Sequence, residues 1–64
     1  MAVVFRQVDG TNLFDLTVDG RAAEYDVEQR DFGAALRRLR NRVPKGAVVY
    51  VEDETGHRTR LSGR

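Results

Sequence analysis

The stretch "AVVFRQVDGTNLFDLTVDGRAAEY", Ala2 to Tyr25, decides the fold. Its first residues are β-branched and aromatic, "DGTN" interrupts them, and Phe14, Leu16 and Val18 then alternate with Asp15 and Thr17. That is the two-residue period of a strand with one buried face. Setting Val8 opposite Leu13 places Phe5 across from Leu16 and Val3 across from Val18, while Arg6 meets Asp15 on the other face. A slip of one residue would lose both the apolar match and the charge match, so the register is specified.

Working outward, Asp19-Gly20 is the signature of a two-residue hairpin turn with both central residues at positive φ. The spacing predicts a third strand over Arg21 to Tyr25 that carries Ala23 beside Leu16 and Tyr25 beside Phe14 on the inner face. It also sets Glu24 opposite Asp15, a like-charge pair that needs Arg6 across from both.

Phe32, Ala35, Leu36, Leu39 and Val43 recur at the three- and four-residue spacing of a buried helical stripe. This predicts a helix over roughly Phe32 to Val43, with Asp31 as N-cap, Asp26 with Gln29 as a rival start, and Pro44 and Gly46 ending it. The last segment, "AVVYVEDETGHRTRL", reads as a second hairpin around Glu54-Thr55-Gly56, with Glu52 facing Arg58, Val51 facing Thr59, Tyr50 facing Arg60 and Val49 facing Leu61. Ala47, Val49, Val51 and Leu61 point inward in that register. The resulting order, βββαββ, describes an α+β domain with one helix packed on an antiparallel or mixed sheet. Strand order is left open. Residues 1–64 make one small domain in which 61–64 are expected to fray.

Composition narrows the function classes. In 64 residues there is room for one modest core and none for a deep, dry pocket. Without cysteine there is no disulfide and no thiolate metal site, and the N-terminus lacks the basic start and apolar run of a signal peptide. No stretch is long and apolar enough to span a bilayer, so the expectation is a cytoplasmic chain that uses no membrane.

The lone histidine, His57, lacks companion ligands, and Ser62 near the terminus is a poor nucleophile, so neither a metal site nor a cofactor is expected. Glu52, Asp53 and Glu54 are paired carboxylates in a turn, where acids are ordinarily solvated rather than tuned for proton transfer. The reading is that the chain is not an enzyme.

Net charge is only +1, but its distribution is uneven. Residues 1–30 hold Arg6, Arg21 and Arg30 against six acids, whereas residues 31–64 hold seven arginines and Lys45 against Asp31, Glu52, Asp53 and Glu54. Much of the positive charge lies in "ALRRLRNRVPKG", Ala35 to Gly46. On the predicted helix Arg37, Arg38 and Asn41 face away from the core and Arg42 flanks the stripe; with Lys45, and Arg60 on the neighbouring hairpin, they form a candidate contact for nucleic acid or for an acidic partner. The bland alternative is a solvated helix end, where cations complement the negative pole of the helix dipole.

A single helix also leaves the other sheet face uncovered, with Val4, Leu13, Val48 and Tyr50 as a candidate docking surface for a protein partner or a second copy. The leading expectation is therefore a non-catalytic binding or regulatory module that docks on a protein or on itself through the open sheet face or an edge strand. The runner-up is a nucleic-acid backbone binder that uses the arginine-rich segment.

Overall fold

A computed structural model describes residues 1–44 and 46–61. The chain is a small α+β domain with one α-helix and a five-stranded mixed sheet. The strands are β1 (Ala2–Gln7), β2 (Leu13–Val18), β3 (Arg21–Glu28), β4 (Val48–Glu52) and β5 (Arg58–Arg60), and helix α1 (Phe32–Arg38) lies between β3 and β4. Their order across the sheet is β3-β2-β1-β4-β5.

Strand β1 pairs antiparallel with β2 and parallel with β4. The parallel pair follows from the connection. Strand β3 runs in the same direction as β1, α1 brings the chain back, and β4 must then set out alongside β1, a crossover that residues 29–47 are long enough to make.

The first hairpin has the expected register, with Val3 opposite Val18, Phe5 opposite Leu16 and Arg6 opposite Asp15. At its far end Asp19 and Gly20 take φ of 50° and 86°, the left-handed pair that the turn needs. The second hairpin pairs Glu52 with Arg58, Val51 with Thr59 and Tyr50 with Arg60, and the Leu61 amide extends the ladder to the Val49 carbonyl. Leu61 packs against the core, and residues 62–64 of the expected tail lie outside the described residues.

Strand β3 departs from expectation. It runs three residues further, to Glu28, and two bulges break its pairing with β2, so that Leu16 faces Glu24 and Phe14 faces Val27. Each bulge inserts an extra residue on β3. Val27, not Tyr25, therefore fills the place beside Phe14, and Tyr25 is 70% exposed. The like-charge pair of Glu24 with Asp15 is also avoided.

The helix is shorter than its apolar stripe. A 3₁₀ turn over Gln29–Asp31 leads into it, merging the two rival starts, and Asp31 stands at the N-cap without its carboxylate making a cap bond. That carboxylate lies 3.9 Å from Arg30 Nε instead. After Arg38 the chain descends in tighter turns, with the Arg42 amide bonded to the Leu39 carbonyl at 2.7 Å. Pro44 disfavours α geometry at Val43, and the arginines crowded into Arg37–Arg42 repel one another. The stripe still works as a packing surface: Phe32, Ala35 and Leu39 are buried, and Leu36 and Val43 pack against the same cluster.

The core lies between the helix and one sheet face. Val3, Phe5 and Leu16 are fully buried, and the Phe32 ring stacks on Phe5 with centroids 3.8 Å apart while Phe14 meets it edge-on at 5.1 Å.

Candidate interaction surfaces

The open face of the sheet is organised by register. Along one cross-strand row stand Asp15, Arg6, Glu52 and Arg58, and along the next Thr17, Val4, Tyr50 and Arg60. Glu52 joins the strands: one carboxylate oxygen accepts from Arg6 Nε at 3.2 Å and the other from Arg58 Nη2 at 3.0 Å. Arg6 therefore turns to Glu52 rather than to Asp15, whose carboxylate accepts the Asp26 amide at 3.3 Å. Arg58, not Arg60, lies over the Tyr50 ring, 5.4 Å from its centroid.

These long side chains change the character of the face. Val4, expected to be exposed, is only 5% exposed, and Thr17 beside it 7%. Val48, Tyr50 and Leu13 are half-buried. A face without a covering layer thus screens its own apolar centre with arginine and tyrosine stems. What remains open over Val4 and Thr17 is a shallow depression of about 330 Å³ bordered by Arg6, Glu52 and Arg58.

Both sheet edges carry features that oppose pairing with another strand. Strand β5 is three residues long with an arginine at each end, and β3 is bent by its two bulges.

The arginine-rich segment divides. Arg38 clamps the helix to the sheet edge, donating from Nη2 and Nε to the two Glu24 carboxylate oxygens at 2.6 and 2.8 Å. Arg37, in the last helical turn, lies back over Gly33. Asn41 and Arg42 fall in the turns after the helix, a correction to the predicted helix 32–43. Arg60 belongs to the open face of the sheet, opposite the face that α1 covers, so it does not join the others. Lys45 lies outside the described residues.

Around Leu39 a surface emerges that the sequence did not single out. The turn before β3 brings Arg21 next to the segment after the helix, and a cleft of about 310 Å³ forms between Arg21 and Arg42 over Val18, Ala22, Ala23 and Leu39. On the other side of Leu39, a cleft of about 190 Å³ is lined by Val3, Leu36, Val43, Pro44, Ala47 and Val49, with Arg40 at its rim. Arg21, Arg37, Arg40, Arg42 and Arg60 form no ion pair among the described residues, whereas Arg6, Arg30, Arg38 and Arg58 do. The pairing of Val18 with Arg21 was legible as the end of the hairpin; that Arg42 meets it there depends on the helix direction and on where the helix stops.

The carboxylates of "VEDETG" all hold the structure together. Asp53 Oδ1 accepts the Thr55 hydroxyl at 2.6 Å and the amides of His57 and Thr55 at 2.9 and 3.0 Å, and Glu54 accepts the Gly10 amide at 2.8 Å. The Thr55 hydroxyl first, and then the His57 amide, hold the Asp53 carboxyl below its ordinary value. Among the described residues no group of three or more His, Cys, Asp or Glu side chains could hold a metal ion, and no helix is long and apolar enough to cross a membrane.

No family model, curated protein or solved structure matches this chain.

Proposed function

We propose that the chain is a small non-catalytic binding module that docks on a protein partner, and that it does so through its basic end rather than through the open sheet face. One observation carries this reading: Arg21, Arg40 and Arg42, without ion-pair partners among the described residues, stand at the rims of two clefts with apolar floors on either side of Leu39. An apolar floor contributes nothing to holding a phosphate backbone, which needs cations and a wet groove. A protein segment offers acids and apolar side chains together. The open face and both edges are less suited, because their apolar atoms are screened and their strands blunted.

The test is amide chemical-shift mapping while a glutamate- and leucine-containing peptide, or a DNA duplex, is added at low and at physiological salt. The reading expects shifts around Arg21, Leu39 and Arg42 with the peptide at both salt levels. Binding of the duplex alone, steeply weakened by salt, would overturn it in favour of a second reading, a phosphate-backbone contact. Arg37, Arg40 and Arg42 support that second reading as exposed cations in one short segment. Arg38 does not, because Glu24 neutralises it.

A further inference from the structure

We infer that the occupant of the basic end is an acidic segment carrying two apolar side chains, one seated on each side of Leu39; this rests on the protein-docking reading above and names the chemistry of the partner. Leu39 is 2% exposed and lines both clefts, so it forms the partition between them. The clefts have different rims. One is bordered by Arg21 and Arg42, the other, among the described residues, by Arg40. Neither has an acid among its described lining residues.

Two carboxylates close in sequence to the lining residues are already engaged. Glu24 is held by Arg38, and Asp19 Oδ1 accepts the Ala2 amide at 2.9 Å. Glu24 offers one negative charge to Arg38 and to the nearby Arg42, so among the described residues positive charge is left in excess at this end. A ligand that places acids against Arg21, Arg40 and Arg42 and apolar groups between them satisfies the rims and the floors together. A purely anionic ligand leaves both floors wet. A purely apolar one leaves the arginines without partners.

The experiment is a fluorescence-anisotropy titration of the full chain with a synthetic glutamate-rich peptide bearing two leucines, and with analogues in which either leucine is replaced by serine. Light scattering is recorded on the peptide-free sample. The parent peptide is expected to bind, and each leucine replacement to weaken binding about tenfold, the worth of a partly buried aliphatic side chain. Arg40→Ala and Arg42→Ala should each weaken it about tenfold as well, with Arg60→Ala, on the far face, unchanged. Thermal midpoints equal to that of the parent chain would show that the variants remain folded.

Serine analogues that bind as tightly as the parent peptide would overturn the two-anchor inference and leave protein docking standing. Self-association of the peptide-free chain, abolished by Arg42→Ala, would make the occupant a second copy and also overturn the inference. Duplex DNA binding with no binding by any peptide would remove the inference and the docking reading together.

Discussion

Arg38 and Glu24 form a two-pronged ion pair that ties the last turn of the helix to the bulged edge strand, with contacts of 2.6 and 2.8 Å. The Arg38 hydrogen bonds hold the Glu24 carboxyl below its ordinary value of 4.5; burial opposes this, and the charges of Arg38 and Arg42 reinforce it. A carboxyl lowered in the folded state stabilises that state above its unfolded value, and the contribution disappears as pH falls through the folded value. Glu24→Gln is therefore expected to lower stability at neutral pH, with the gap to the parent chain closing as pH falls through the lowered folded value. Urea denaturation at a series of pH values reads this directly. A gap independent of pH would mean that the pair contributes shape rather than charge.

Phe32, on the helix, touches both inner aromatic rings, stacked on Phe5 and edge-on to Phe14. Phe32→Ala should cost about 3 to 5 kcal/mol, and Phe32→Leu about 1 to 2 kcal/mol. A chain of this length holds only about 3 to 10 kcal/mol in total. The alanine variant should accordingly be largely unfolded by circular dichroism, and the leucine variant folded with a lower midpoint. Two variants of equal stability would show that the aromatic cluster is not what secures the helix.

The hairpins were legible because each places its charges and apolar residues on opposite faces, so a single register satisfies both. Strand β3 was not. "RAAEYDVE" offers Tyr25 and Val27 as rival partners for Phe14, and an unbroken alternation favours the tyrosine. The bulges favour the valine, which fits under the helix, and they turn Glu24 toward Arg38 instead of Asp15. That partnership joins distant parts of the chain and has no local signal. The helix stripe was readable to Val43, yet regular hydrogen bonding stops at Arg38, because apolar spacing records what packs and not where crowded arginines and Pro44 end the helix. For the same reason the arginine segment read as one surface, when one of its members is consumed internally and Arg60 lies on the opposite face.

Asp26 takes φ of 54° in the second bulge, an uncommon state for a residue with a side chain. Asp26→Gly should leave stability unchanged or raise it by up to about 1 kcal/mol, because removal of left-handed strain is set against added freedom in the unfolded chain. Asp26→Val should lower it by about 1 to 2 kcal/mol. The check is thermal denaturation of both variants together with tyrosine fluorescence in a Tyr50→Phe background, where Tyr25 is the remaining tyrosine and its emission reports whether it stays in water. A valine variant as stable as the parent, with Tyr25 now protected, would mean that the strand can slide into the regular register.

Glu52 serves two arginines on the open face, one through each carboxylate oxygen, and without it Arg6 and Arg58 would face each other across β4 with no charge between them. Removing the shared acceptor should therefore hurt more than removing either donor. Glu52→Gln is expected to cost about 1 kcal/mol, and Arg6→Gln or Arg58→Gln about half as much. The loss in Glu52→Gln should shrink at high salt, because what replaces the network is repulsion between exposed cations and salt screens it. Urea denaturation at low and high sodium chloride separates these contributions, since urea adds no ions of its own. Equal losses for all three variants, unaffected by salt, would mean that the side chains stabilise the face by covering Val4 and Thr17 rather than by their charge.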